Sequence, residues 1–217
     1  MLQNVRIWFS KTGVVKYISH LDLTRCMARA LKLSGLPVWY TQGFNPRIYM
    51  TFAMPLSLGV SGLRECVDIR LTEETGLEDA AQRLSAYLPA DITVLGLTQP
   101  ELGFEEAAYG EYELRLEAEH PEALAAELQE LLAGETVTVM KHGKKGDKAV
   151  DIKPYFSHME WRTEPGWLVL DVKLSCSLNG SVNPNLLLEA LKTLRGLEPY
   201  GEITRKRLLT KDFSDMR

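Results

Sequence analysis

The chain has 217 residues, 45% of them hydrophobic and 25% charged, and its formal net charge is −4. These values are ordinary for a globular protein with one large domain or two domains of about 100 residues each. No apolar run approaches the roughly 18 residues that a membrane-spanning helix needs, and the first residues lack the apolar core of a signal peptide. Cys26, Cys66 and Cys176 are too widely spaced to predict a disulfide framework or a zinc site. We expect a cytoplasmic protein with free thiols, no membrane contact, no metal and no other cofactor.

The first half predicts strands that alternate with helices. Ser19 is expected to cap a helix over 19–34, with Asp22 as its capping-box partner, and Gly35 and Pro37 end that helix. The core face of this helix is predicted to consist of Leu23, Met27, Ala30, Leu31 and Ser34. The other predicted elements are strands 5–9, 38–41, 48–53, 66–71 and 92–97, and a helix over 77–87.

The second half repeats this order after an acidic connection at 101–106. Residues 101–137 hold eleven acidic residues and one basic residue, Arg115, and we place the boundary between a domain 1–100 and a domain 107–217 here. The pattern predicts strands 111–118, 137–141, 149–153, 159–162, 167–174 and 203–208, and helices 122–132 and 183–194. Arg205, Lys206 and Arg207 predict a charged edge strand. Both halves predict an α+β, ferredoxin-like fold with mostly antiparallel sheets and helices on one face.

The first fifty residues are basic although the whole chain is acidic, since they hold seven Lys or Arg residues and one acidic residue, Asp22. A basic element on an acidic protein is typical of a local surface for an anionic partner. Arg25 and Arg29 are four residues apart and stack on one helix face, followed by Lys32. Two stacked arginines can hold successive phosphates of RNA. The alternative is a solvated helix face.

The loop after this helix combines aromatic, amide and guanidinium groups. These groups belong to Gln42, Phe44, Asn45 and Arg47, and Tyr40 precedes them. Such groups suit stacking and edge recognition of unpaired bases, with Arg47 on a phosphate. The alternative is a structural turn in which Phe44 fills the core.

Two further candidates lie outside that loop. Lys144, Lys145 and Lys148 belong to a glycine-containing hairpin turn that could clamp a phosphate backbone, or could simply aid solubility. His20 could serve as a general acid or base, since its ordinary pKa is about 6.5, or it could cap and pack the helix start.

Several of these segments together resemble the radical-SAM-linked protein family. They are 19–23 (SHLDL), 35–37 (GLP), 43–46 (GFNP) and 150–154 (VDIKP). Members of that family are encoded beside, or fused to, a cobalamin-type radical SAM protein, so the resemblance implies a radical SAM partner. Family members commonly have a second proline, and often a histidine, after the Asn-Pro pair, whereas this chain has Arg47 and Ile48 there. The chain lacks the CxxxCxxC motif with which a radical SAM enzyme holds its own cluster.

Three hypotheses follow from the sequence. The preferred one is an RNA-binding accessory module that presents a structured RNA, such as tRNA or rRNA, to the radical SAM partner. The second is a metal-independent RNA-processing enzyme that uses His20, with Arg25 stabilising developing charge; a fold-level analogy to the repeat-processing proteins of CRISPR systems suggests it. The third is a protein-interaction module that docks through the acidic segment 101–137. The sequence leaves the oligomeric state open.

Overall fold

The computed structural model describes residues 2–141 and 146–217. Its contacts divide the chain into two compact units, the first made of Met1–Ala107 with Arg205–Arg217 and the second of Ala108–Thr204. The domain boundaries expected from the sequence, 1–100 and 107–217, stay a prediction.

The first unit has the element order of a ferredoxin-like fold. Its elements are β1 (Gln3–Lys11), α1 (His20–Leu33), β2 (Met50–Phe52), β3 (Ser61–Leu71), α2 (Leu77–Ser85) and β4 (Ile92–Thr98). The strands lie in the order β4-β1-β3-β2, and each neighbouring pair is antiparallel. Short 3-10 turns occur at Gly13–Tyr17 and Phe104–Glu106.

One hydrophobic core lies between this sheet and its two helices. Strands β1 and β3 contribute their odd-numbered residues and the helices contribute one face each, because side chains alternate along a strand and recur every three to four residues along a helix. The members include Val5, Ile7, Phe9, Leu23, Met27, Ala30, Leu31, Val67, Ile69, Leu71, Ala80 and Leu84. The predicted core face of α1 is confirmed, including Ser34, which is buried. Both helices therefore cover the same face of the sheet.

The second unit repeats the ferredoxin-like order. Its elements are β5 (Tyr109–Glu117), α3 (Pro121–Ala133), β6 (Thr138–Lys141), β7 (Lys148–Asp151), β8 (Met159–Glu164), β9 (Trp167–Ser177), β10 (Gly180–Ser181), α4 (Asn185–Arg195) and β11 (Gly201–Leu209). The order is β11-β5-β9-β8, with β10 also on β9, and β6 and β7 form a separate hairpin. From Arg205 onward, β11 belongs to the first unit. No helix among the described residues is both long and apolar enough to cross a membrane.

The predicted α+β class with mostly antiparallel sheets is confirmed, but some local predictions are wrong. Residues 38–41 form no strand: Val38 and Tyr40 make isolated bridges to two different partners, Leu71 and Ile48. No ladder can build up when the pairing changes partner at successive bridges. The strand predicted over 48–53 shortens to Met50–Phe52.

Candidate nucleic-acid interface

Ser19 fixes the start of α1. Its hydroxyl oxygen accepts a hydrogen bond from the Asp22 backbone N–H at 3.1 Å, and the hydroxyl donates to Asp22 Oδ2 at 2.7 Å. This differs from the predicted capping box, in which the carboxylate would meet the Ser19 backbone N–H. The hydrogen bond from Ser19 lowers the pKa of the Asp22 carboxyl, which stays charged near the positive end of the helix dipole.

The outward face of α1 carries Arg25, Arg29 and Lys32, all exposed. Arg25 Nη1 lies 3.2 Å from Asp22 Oδ1, and an exposed pair of this kind contributes only about 0–1 kcal/mol, so a phosphate can replace it. Within the described residues, the charged ends of Arg29 and Lys32 have no ion-pair or hydrogen-bond partner. The face therefore offers cations that the protein itself does not neutralise.

The loop 42–47 lies entirely in solvent. Its two ends are held together by hydrogen bonds from the Thr41 N–H to the Arg47 carbonyl at 2.8 Å and from the Arg47 N–H to Thr41 Oγ1 at 3.2 Å. Gly43 has φ +132°, a value that favours glycine. Phe44 is fully exposed, which is incompatible with the alternative that its ring fills the core. Gln42, Asn45 and the Arg47 guanidinium are exposed beside it.

Trp39, Tyr49 and Arg70 form an aromatic and cationic cluster at the stem of this loop, which the sequence did not predict. The Trp39 N–H donates to the Arg70 carbonyl at 2.8 Å, and the Tyr49 N–H donates to the Trp39 carbonyl at 3.0 Å. The two rings meet edge to face with centroids 5.7 Å apart. The Arg70 guanidinium lies 4.3 Å from the Tyr49 ring centre and 5.5 Å from that of Trp39.

His20 stands at the start of α1 beside the end of β2. Its ring meets Phe52 edge to face with centroids 5.0 Å apart, and a small cleft is lined by both rings together with Met54 and Glu65. Loss of hydration and the nearby charge of Lys11 lower the pKa of His20. Its imidazole makes no hydrogen bond to another described residue, so no group orients it for proton transfer.

Lys11 is a buried charge at the end of β1, and its sequence context gave no sign of burial. Only 2% of the residue is exposed, and its ammonium donates to the carbonyls of Lys16 at 3.3 Å and Ile18 at 3.4 Å. Burial lowers the pKa of Lys11, and the nearby Glu65 carboxylate partly opposes that effect. Its position ties the end of β1 to the segment that leads into α1.

The predicted basic finger falls largely outside the described residues, because Lys144 and Lys145 belong to 142–145. Lys148 is exposed at the first position of β7, opposite Lys141. Near the other end of that strand, Asp151 Oδ1 accepts from the Val137 N–H at 2.9 Å and the Lys153 N–H at 3.1 Å. The 150–154 motif thus contains a structural carboxylate.

The described residues offer no cluster of three or more His, Cys, Asp or Glu side chains that could hold a metal ion. None of Cys26, Cys66 and Cys176 forms a disulfide with another described residue, and Cys66 and Cys176 are buried. Burial raises the pKa of the Cys66 thiol to about 12, so it stays protonated and unreactive at neutral pH.

The structure joins some of the predicted site residues and separates others. The strand that follows the loop 42–47 ends at Phe52 against His20, which links the loop to the start of α1. No hydrogen bond or ion pair among the described residues links the α1 cations to the loop. Lys148 belongs to the other unit.

A family model described as "Uncharacterized protein conserved in bacteria (DUF2344)" matches residues 4–184. The chain belongs to the DUF2344 family. The match covers the α1 face, the loop 42–47 and the aromatic cluster, as well as most of the second unit. No curated protein matches this DUF2344 chain.

Solved structures resemble this DUF2344 protein only distantly. A chain of the crystal structure of a Cbf5-Nop10-Gar1 complex is 14% identical with a TM-score of 0.49, and the match covers 94% of this chain and 48% of that one. The chain therefore spans about half the length of that relative. The crystal structure of an unknown protein from Galdieria sulphuraria is 13% identical with a TM-score of 0.29, covering 94% of this chain and 99% of that one.

Proposed function

We propose that this protein is an RNA-binding accessory module that presents an RNA to a radical SAM enzyme. The observation that carries the proposal is that one unit of an acidic protein holds both cations without acidic partners and a fully exposed aromatic ring. Arg29 and Lys32 have no acidic partner among the described residues, and Phe44 has no packing role.

The chemistry of these groups suits RNA better than a small anion. Arginine and lysine side chains on an exposed helix face attract a phosphate backbone, and each phosphate contact releases counterions. The Phe44 ring is exposed to water, which is unfavourable for an apolar group, and it buries apolar surface when an unpaired base stacks on it. Phosphate and base contacts together are typical of proteins that recognise loops and ends of RNA.

We include a radical SAM partner in the proposal because residues 19–23, 35–37 and 43–46 resemble segments of radical-SAM-linked proteins. The chain has no CxxxCxxC motif, so any radical SAM chemistry would reside in that partner. This division of labour would leave the present chain to bind and orient the RNA.

One observation favours the second hypothesis, a metal-independent RNA-processing enzyme. The lowered pKa of His20 favours the neutral imidazole that a general base needs. Against it, the imidazole has no hydrogen-bonding partner among the described residues that would orient it, as a general base requires.

The decisive experiment is ultraviolet crosslinking of the tagged protein in cells, followed by sequencing of the bound RNA, with and without the radical SAM partner. Enrichment of one RNA class, increased by the partner, is the expected result. Recovery of no RNA above an untagged control would overturn the proposal. Site-specific cleavage of the recovered RNA by purified wild-type protein, lost in His20→Ala, would replace it by the enzymatic hypothesis.

A further inference from the structure

The face of the first unit's sheet that lies opposite α1 and α2 carries three arginines, which differ in whether a carboxylate pairs with them. Residues Arg6, Arg64 and Arg70 occupy even-numbered strand positions, opposite the odd-numbered core residues. Arg6 Nε lies 2.7 Å from an Asp68 carboxylate oxygen, and Arg64 Nη1 lies 2.8 Å from one of Asp215. Among the described residues, Arg70 has no carboxylate partner.

Aromatic rings take the place of a carboxylate at Arg70. Its guanidinium lies 4.3 Å from the centre of Tyr49 and 5.5 Å from that of Trp39, and all three residues are half-buried. A guanidinium held against rings keeps its positive charge and presents a flat polar edge. The cluster therefore combines a cation and two partly exposed aromatic rings.

The backbone places this cluster beside the loop. Tyr49 points away from the core because its neighbours Ile48 and Met50 pack against the core. The chain leaves the cluster after Trp39, passes through the exposed Phe44 and returns to the cluster at Tyr49. The guanidinium of Arg47, in this loop, also lacks an acidic partner among the described residues. The loop thus connects two members of the cluster, and the charged side chains of loop and cluster, Arg47 and Arg70, are both positive.

We infer that Trp39, Tyr49 and Arg70, together with Phe44 of the loop that connects Trp39 to Tyr49, form a stacking site for unpaired nucleotides of a single-stranded RNA segment. This inference rests on the proposed function and specifies which form of RNA the protein reads. The charge complementarity of Arg70 and Arg47 with phosphate selects a nucleic acid, and the rings select unpaired bases.

Duplex RNA, the alternative ligand, cannot stack its bases on these aromatic rings. Bases in a duplex are stacked on one another, and the A-form major groove is too narrow for side chains to reach them. A duplex would meet only the phosphate-binding cations of α1. Stacking on aromatic rings contributes about 1–3 kcal/mol per base, so loss of one ring is expected to weaken single-strand binding about 5- to 150-fold.

The test uses the full chain and a short fluorescent oligouridylate that carries one 5-iodouridine, with a duplex of the same length for comparison. Affinities are measured for wild type, Tyr49→Leu, Arg70→Gln and Arg70→Lys, and photocrosslinked residues are mapped by mass spectrometry. Arg64→Gln is the matched control, because Arg64 lies on the same strand and face with its guanidinium 4.4 Å from the Trp8 ring. Thermal unfolding verifies that each variant folds.

We expect crosslinks at Trp39 or Tyr49, weaker single-strand binding by Tyr49→Leu and Arg70→Gln, and unchanged duplex binding. Arg70→Lys should keep the salt dependence but lose affinity, since an ammonium cannot stack as a planar group does. Full single-strand affinity in folded Tyr49→Leu and Arg70→Gln, with crosslinks elsewhere, would overturn the stacking site and leave RNA binding intact. Absence of RNA binding by the wild type would overturn both.

Discussion

Glu65 and Arg205 are 140 residues apart in sequence and form a buried two-pronged ion pair. Arg205 Nε donates to Glu65 Oε1 at 2.9 Å, and its Nη2 donates to Glu65 Oε2 and to the Met54 carbonyl. The side chain of Arg205 is 1% exposed and that of Glu65 is 6% exposed. The pair ties the middle of β11 to β3 within the first unit, so this unit depends on residues from both ends of the sequence.

Glu65→Gln should destabilise the protein strongly. The substitution keeps the shape of the side chain but leaves the Arg205 guanidinium buried without its carboxylate, which costs about 3–5 kcal/mol in the free energy of unfolding. Urea denaturation at neutral pH measures it. Glu198→Gln is the control, because its pair with Lys192 is exposed, at 66% and 53%, and should change stability by about 0–1 kcal/mol. Equal effects of the two substitutions would contradict the role of burial.

Ser19→Ala should cost about 1 kcal/mol, within the usual range of about 0.5–2 kcal/mol for a lost N-cap. The variant loses both the acceptor for the Asp22 N–H and the donor to its carboxylate. Thr24→Ala is a control in the same helix, since the Thr24 hydroxyl donates only to the His20 carbonyl at 2.8 Å and alanine has the higher helix propensity. A stability loss in Thr24→Ala as large as in Ser19→Ala would contradict the capping account.

Local signals in the sequence predicted α1 well. The expected span 19–34 and the observed His20–Leu33 differ by the caps alone, because a capping serine, a helical apolar period and a following Gly-x-Pro all coincide here. The 3-10 turn Gly13–Tyr17 was missed, since five residues are too few to show a period. The strand predicted at 38–41 was wrong because β-branched and aromatic residues favour an extended backbone but do not determine whether a neighbouring strand pairs with it.

Long-range features of the candidate site could not be predicted in the same way. Arg205 was expected on a charged edge strand, but β11 has a strand on each side, and Arg205 is buried with Glu65 as its ion-pair partner. Alternation along a strand assigns a side chain to a face and does not reveal whether that face is covered. Trp39, Tyr49 and Arg70 come from three segments that backbone hydrogen bonds bring together. Phe44 was identified from its loop, because glycine, aromatic and Asn-Pro residues occur together there.

Arg25→Ala combined with Arg29→Ala should weaken RNA binding and reduce its salt dependence. If each arginine contacts one phosphate, the slope of log affinity against log salt should fall by about 1.4–1.8 units, depending on strandedness. Fluorescence anisotropy over a salt series measures this slope. Lys192→Ala combined with Arg195→Ala is the matched control, because both cations already pair with glutamates of their own unit. An unchanged slope in the α1 variant would show that these arginines contact no phosphate.

Phe44→Ala should leave stability within about 0.5 kcal/mol of wild type, as for other surface substitutions, because the ring is fully exposed. Binding of single-stranded RNA should weaken about 5- to 150-fold if one base stacks on this ring. Phe9→Ala is the contrasting control, since Phe9 is buried in the core and its loss should cost about 3–5 kcal/mol. Unchanged RNA affinity in Phe44→Ala would assign the loop another role.

His20 should make the protein less stable as the pH falls from 7.5 to 5.5. Its pKa is lowered in the folded state by lost hydration beside Phe52 and by the charge of Lys11, whereas the unfolded chain has an ordinary value of about 6.5. Below that value the unfolded state binds a proton that the folded state does not yet take up, so stability is lost progressively until the pH passes the lower, folded pKa. His20→Gln should therefore show a smaller fall in melting temperature over this range than the wild type. Parallel curves for wild type and His20→Gln would mean that the cleft beside Phe52 and Glu65 does not oppose protonation of this imidazole.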